Sequence, residues 1–178
     1  MENIELRGKK FKPYMSHGEI LECIDGVAEK INRDYAGKPV MLLCVLNGAI
    51  LFTAELMKRL DLDCELASLK LTSYSGTHRM DTVHAATALV GDVKGKNVII
   101  CEDIVDSGNS MEFLLGYLKE LGAADIKICT MLFKEEVFTK SFKVDYIGKT
   151  IPNVFILGFG LDYEEFGRNY KDIYIINE

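Results

Sequence analysis

A chain of 178 residues with 48% hydrophobic and 27% charged side chains can bury the core of one ordinary domain, which excludes global disorder and argues against two domains. Its acids outnumber its bases, 27 to 21, for a formal net charge of −6, the opposite of the balance a nucleic-acid-binding protein carries. A small phosphorylated ligand is still compatible, because it responds to local backbone N–H groups and a metal ion rather than to net charge.

The segment Met1 to Lys12 is polar and mixed in charge, unlike a secretory signal. A first helix is signalled by the capping box Ser16-x-x-Glu19 and by the apolar positions Ile20, Cys23, Ile24, Val27 and Ile31, with Gly37 and Pro39 as its stop. Val40–Leu46 is a continuous apolar run, the pattern of a strand covered on both faces. Asn47-Gly48 breaks it, Ala49–Leu60 reads as a second helix, and Cys64–Leu71 as another strand. The polar stretch from Thr72 to Arg79 reads as a loop with room to move. A strand over His84–Val90 and a turn through Gly91-Asp92 and Gly95 follow.

Asn97–Cys101 is the clearest buried strand; it runs through Glu102-Asp103-Ile104-Val105-Asp106 into Ser107-Gly108 and a helix. Met111, Leu114, Leu115, Leu118 and Leu121 form that helix's apolar stripe, and Gly122 suits its C-terminus. Asp125–Phe133 is a strand again, and the remainder holds short apolar runs at Tyr146-Ile147, Val154–Leu157 and Ile173–Ile176. No run approaches the roughly 18 apolar residues of a membrane helix. Cys23, Cys44, Cys64, Cys101 and Cys129 lack C-x-x-C spacing, and three of them sit in apolar runs, so reduced thiols in a cytoplasmic protein are expected. His17, His78 and His84 have no metal-ligand spacing. Alternating strands and helices predict an α/β fold with a mostly parallel central sheet flanked by helices. Ligands of such sheets bind beyond the carboxyl ends of strands, near a topological switch point.

Residues Glu102 to Ser110 combine two properties that seldom coincide. The first part places three carboxylates just past a buried strand; the second, Ser107-Gly108-Asn109-Ser110, opens a helix whose first N–H groups lack internal partners. Such a terminus holds a phosphate through amide donors, the helix dipole and serine hydroxyls. The acids would repel that phosphate unless they face sugar hydroxyls or Mg²⁺, both of which want acceptors.

VIICEDIVDSGNSM, residues 98 to 111, resembles the phosphoribosyl pyrophosphate (PRPP) signature of type I phosphoribosyltransferases. Leu46-Asn47-Gly48, Ser73-Tyr74, Lys134, Ile151-Pro152-Asn153 and Gly160-Leu161-Asp162-Tyr163 extend the resemblance to the hypoxanthine–guanine branch over roughly residues 10 to 176. It implies one domain spanning 1–178, with a core at about 36–140, a small hood from about 1–15 and 141–178, and a mobile lid at about 72–83. It implies that Glu102 and Asp103 meet the ribose hydroxyls and hold Mg²⁺, and that Asp106 is the catalytic base or acceptor near N7 of the purine. Ser107, Gly108, Asn109 and Ser110 would cradle the 5′-phosphate, while Leu46, Asn47, Gly48 and Arg168 bind pyrophosphate. Lys134 would donate to O6 of the base, Tyr146 would stack on it, and backbone near Ile147 and Asn153 would meet its other edge. Ser73 and Tyr74 would belong to the lid.

The activity implied is purine salvage: transfer of phosphoribose from PRPP to a 6-oxopurine base, hypoxanthine or guanine, with release of pyrophosphate, by a homodimer or homotetramer. A xanthine-preferring enzyme and a non-catalytic PRPP-sensing regulator are the alternatives; neither nucleic acid nor membrane is an expected partner. The sequence departs from the family pattern at Asn47 and Asn109, where relatives usually have Lys, at Asn153, usually Asp, and at Gly167, often aromatic. Loss of a charge-assisted bond at such positions would weaken PRPP binding ~10–100-fold.

Overall fold

The computed structural model describes residues 1–74 and 82–177. It opens with a hairpin that the polar composition of the first twelve residues conceals. Strands β1 (Ile4–Leu6) and β2 (Lys9–Met15) pair antiparallel, and their turn, Arg7-Gly8, takes φ 53° and 75°, the left-handed pair that matches strand twist in a two-residue turn. Helix α1 (His17–Asp34) follows with its capping box formed: the Ser16 hydroxyl accepts from the Glu19 N–H, and the Glu19 carboxylate accepts from the Ser16 N–H at 2.8 Å. Ile20, Ile24, Val27, Ala28 and Ile31 make its buried face, and Cys23 sits only partly buried at the edge.

Strand β3 (Val40–Leu46) has the expected bounds; helix α2 (Ile50–Met57) is shorter than the Ala49–Leu60 predicted. Strand β4 (Cys64–Tyr74) runs past Leu71 and carries Ser73 and Tyr74 on its backbone, where a loop was expected. The rest of the predicted lid lies, over 75–81, outside the described residues. Strand β5 (Thr82–Ala85) starts two residues before the strand expected from His84 to Val90 and ends early, and Val90 makes only an isolated bridge to Ser68. Strand β6 (Asn97–Val105) continues four residues beyond Cys101, helix α3 (Asn109–Glu120) buries Met111, Leu114 and Leu118, and Leu121 is an exposed C-cap rather than part of the stripe. Strand β7 (Asp125–Phe133) matches its prediction.

Strand β8 (Tyr146–Thr150) pairs parallel with β7. That pairing places it on the edge of the central sheet, although it falls within the 141–178 segment expected to form the hood. Strands β9 (Ile156–Leu157) and β10 (Ile173–Ile176) join the opening hairpin in a second sheet of order β1-β2-β10-β9. The central sheet has the order β5-β4-β3-β6-β7-β8, parallel except for β5.

Two cores explain why the central strands read as unbroken apolar runs. Leu42, Ile99, Cys101 and Cys129 face α1 and α2, while Met41, Leu43, Val98, Ile100 and Ile128 face α3. Alternate residues thus point to opposite covered faces, and neither face tolerates polarity. The first core continues under the second sheet through Met15, Ile156, Phe159, Leu161 and Ile173, and Phe11, Leu157 and Tyr174 form a third cluster. Among the described residues no helix is long and apolar enough to cross a membrane.

Replacing Ser16 by Ala removes the hydroxyl half of the cap of α1, leaving the backbone N–H of residue 16 on Glu19, and should cost about 1 kcal/mol in a urea titration at neutral pH. The backbone and hydroxyl of Ser16 hold the Glu19 carboxyl below its ordinary value of 4.5. The backbone share of that shift survives in Ser16→Ala; the hydroxyl's share does not, so the pH-dependent part of the native chain's advantage is present above that value and shrinks as pH falls through the depressed one.

Candidate functional site

From β3 the chain turns outward to β4, and it returns on the other side of β3 as β6. The loops after β3 and β6 therefore emerge side by side at the switch point of the sheet, the place where open α/β sheets bind ligands. After β3, the Leu46–Asn47 peptide is cis. Ala49 donates to Val45 and Ile50 to Asn47, whereas the N–H groups of Asn47 and Gly48 find no acceptor among the described residues. Two adjacent free amides at the mouth of a sheet are a ready anion contact.

Gly48 lies so close to Asp103 that a Cβ would overlap the carboxylate, and a Cβ on Gly160 (φ 96°) would overlap the Gly48 carbonyl. Glycine at both positions is what lets the three segments close on one another. Arg168 completes the group. Its Nη1 donates to the Gly160 carbonyl at 2.9 Å, and its Nη2 sits 2.8 Å from Asp162 Oδ1 and 3.2 Å from Glu165 Oε2. Its charge reaches Asp103, opposing the upward shift that burial imposes on that carboxyl.

Glu102 and Asp103 stand next to each other near the carboxyl end of β6. Glu102 is buried, and its carboxyl is pushed well above the usual range by desolvation, with the Asp103 charge adding to the effect. Asp103 is raised by burial too, against hydrogen bonds from Glu102 and from the Ile104 N–H at 2.9 Å. Two adjacent carboxyls under mutual repulsion form a site whose charge a cation would balance.

Past β6, Asp106 is exposed and accepts from the Ser107 N–H. Gly108 opens α3 at φ 85°, pressed by Phe138 and Lys140, and no side chain caps the helix. Glu102, Ile104, Asp106, Gly108, Asn109 and Ser110 line one recess over that uncapped end. Lys140, to which the sequence reading gave no role, has its ammonium on Glu112 Oε2 at 2.7 Å, in the first turn of α3.

At the end of β7, Lys134 donates from Nζ to Asn153 Oδ1 at 3.3 Å. Asn153 in turn lines a recess of about 600 Å³ with Val154, Phe155 and Tyr163. Phe155 is 43% exposed, and Tyr163 meets it edge-on with ring centroids 5.7 Å apart. Phe155, an exposed ring two residues from Asn153, received no role from the sequence; it stands just before Ile156 and Leu157, both of which are buried.

Tyr146 does not fit the stacking role expected of it. It is buried in the first core at the start of β8, opposite Cys129, and its hydroxyl donates to Asp34 Oδ2 at 3.0 Å. Burial and then the Asp34 bond push its phenol up. Lys134 lies five residues beyond Cys129, roughly 16 Å along the sheet at the strand rise. Ile147 pairs with Thr130 at a similar depth and packs in the second core, so it too is removed from the Lys134–Asn153 end. The side chains of Ser73 and Tyr74 lie outside the described residues.

A phosphoribosyl transferase domain model matches residues 13–164. The chain belongs to the phosphoribosyl transferase family. It is 38% identical over 168 residues to a hypoxanthine-guanine phosphoribosyltransferase of Streptococcus pneumoniae, covering 94% of this chain and 93% of that one. A crystal structure of a hypoxanthine-guanine phosphoribosyltransferase from Bacillus anthracis, with a HEPES molecule in its active site, superposes with a TM-score of 0.89 at 30% identity over 93% of this phosphoribosyltransferase and 98% of that chain. The hypoxanthine phosphoribosyl transferase of Trypanosoma cruzi, studied for the role of its C-terminal region in oligomeric state and activity, superposes at 0.88 with 29% identity over 98% and 94% of the two chains.

Proposed function

We propose that this phosphoribosyltransferase moves the 5-phosphoribosyl group of PRPP onto hypoxanthine and guanine, giving IMP and GMP and releasing pyrophosphate. The observation that carries the reading is the meeting of Gly48, Asp103 and Arg168, far apart in sequence, beside the uncapped end of α3.

The 5′-phosphate would rest on the first N–H groups of α3 with the hydroxyls of Ser107 and Ser110, a geometry supported by the missing cap. Asn47 and Gly48 would donate their amides to pyrophosphate, and Arg168 would face the same group. The pair Glu102 and Asp103 suits Mg²⁺, which is commonly held by one or two carboxylates plus substrate phosphates; among the described residues no three metal-ligating side chains converge into a cage. When bound, Mg²⁺ neutralises charge on the departing pyrophosphate. As the C1–O bond breaks, positive charge develops on the ribose, and the Glu102 and Asp103 carboxylates would stabilise that charge. Asp106, exposed at the lip, would accept the proton from N7 as the base attacks C1. Lys134 would donate to O6, its direction set by Asn153, and Phe155 would offer the ring face first assigned to Tyr146.

The small sheet formed by the two chain ends is read as the hood and the segment following β4 as the lid, excluding water that would hydrolyse PRPP. A homodimer or homotetramer is what the resemblance to the hypoxanthine–guanine branch implies, and Ile50 and Met57, 52% and 37% exposed on α2, are candidates for its contact. Reduced cysteines, three of them buried, accord with a cytoplasmic setting.

A spectrophotometric assay with PRPP and Mg²⁺ tests the reading: turnover with hypoxanthine and guanine exceeds that with xanthine and adenine. Silence with every base, from folded protein that binds PRPP, would favour the regulator, and a xanthine preference would overturn the base assignment. Asp106→Asn should lower kcat ~10²–10⁴-fold while leaving PRPP affinity nearly intact. Phe155→Ala should raise the KM for hypoxanthine about tenfold. Tyr146→Leu, which removes the ring, should leave that KM unchanged while costing about 2 kcal/mol of stability; a raised KM at unchanged stability would restore Tyr146 to the site.

A further inference from the structure

The tip of the N-terminal hairpin reaches the segment that carries Arg168. Arg7, at its tip, places Nε 3.0 Å from Glu164 Oε2 and its guanidinium carbon 4.9 Å from the centre of the Phe166 ring. These two contacts bracket a four-residue turn closed by Tyr163 N–H to Phe166 carbonyl at 2.9 Å and the reverse bond at 3.1 Å. Its central residues, Glu164 and Glu165, both adopt left-handed backbone, φ 52° and 69°. Side-chain-bearing residues resist that region, and glycine does not. Such a turn stays formed only when its surroundings hold it.

What the turn holds is Arg168. Glu165 Oε2 lies 3.2 Å from Arg168 Nη2, and the Glu165 N–H donates at 2.8 Å to Asp162 Oδ2, whose other oxygen pairs with the same guanidinium nitrogen. Gly167, between the turn and Arg168, packs against Leu157 and Leu6 at φ 91°, so that the hairpin and the arginine share one contact zone. Leu6 precedes Arg7 at the hairpin tip. The path from Arg7 to Arg168 therefore passes through a strained segment whose geometry decides where the guanidinium points.

We propose that Arg7 is a positioning residue for pyrophosphate binding: by clamping the 163–166 turn from both sides it fixes Glu165 and Asp162, and through them the guanidinium of Arg168. This rests on the reading of Arg168 as a pyrophosphate ligand. Arg7 itself touches no reacting atom. The clamp is exposed, with Arg7 and Glu164 side chains 52% and 53% accessible, and exposed ion pairs and cation–π contacts are individually weak, so a partial loss rather than inactivation follows.

The test is steady-state kinetics with PRPP, hypoxanthine and Mg²⁺, together with inhibition by pyrophosphate. Arg7→Ala should raise both the KM for PRPP and the pyrophosphate inhibition constant about three- to tenfold, with kcat and the KM for hypoxanthine unchanged. Adding Glu164→Gly to Arg7→Ala should recover most of the loss, because glycine occupies φ 52° without the clamp. A loss spread over both substrates, tracking a fall in Tm and unrescued by Glu164→Gly, would overturn the proposal, as would no change at all. Arg168→Ala separates the two layers: if it weakens pyrophosphate binding while Arg7→Ala does not, only the clamp fails. If Arg168→Ala has no effect on pyrophosphate, the reading of Arg168 and the clamp fall together.

Discussion

The site depends on one close approach. The backbone of Gly48 abuts the Asp103 carboxylate on one side and Gly160 on the other, and this contact fixes three loops from distant parts of the chain at one point. The sheet order produces the first half of it, since β3 and β6 are neighbours whose exits diverge in sequence and converge in space. The second sheet produces the other half, carrying the 158–168 segment over the switch point. A side chain at either glycine would force the segments apart, and with them the amides of Asn47 and Gly48, the acid pair and Arg168.

Charge reinforces the geometry. Glu102 is buried and Asp103 half-buried beside it, against their own repulsion, an arrangement that favours a bound cation or a shared proton over two bare carboxylates. Arg168 is held by Asp162 and Glu165, so part of its charge is already matched before any anion arrives. Close by, the amino end of α3 supplies donors without a formal charge. A net-acidic protein can in this way hold a strongly anionic substrate, since what the ligand meets is local.

The parts of the fold legible in the sequence were those with a single dominant signal. Val40–Leu46 and Asp125–Phe133 were readable because burial on both faces forbids polar residues, and α1 because Ser16 and Glu19 form a local, reciprocal cap. The opening hairpin was missed because Arg7-Gly8 replaces the usual Asn-Gly turn and only Phe11 and Met15 of β2 are buried. Leu121 was placed on the stripe of α3 by period alone, although the helix has already ended there. At the site, the acid pair, Ser107–Ser110, Asn47-Gly48 and Arg168 came from the family resemblance, and the fold brings Gly48, Asp103 and Arg168 together. Tyr146 and Ile147 were misplaced because an aromatic ahead of Ile-Gly on a strand looks the same at either end of it. Only the register, Tyr146 opposite Cys129, shows that this strand begins deep in the sheet, whereas Phe155 near Asn153 is an exposed ring. Gly167 departs from the family's aromatic for a visible reason: at φ 91° against Leu157 and Leu6 there is no room for a side chain.

The most direct measurement is a crystal structure with PRPP and Mg²⁺ bound. The account predicts the 5′-phosphate within hydrogen-bond distance of the backbone N–H groups at residues 108–111, the ribose hydroxyls at Glu102 and Asp103, and pyrophosphate between the Asn47-Gly48 amides and Arg168. A phosphosugar seated away from the β6–α3 junction, with those groups untouched, would contradict it.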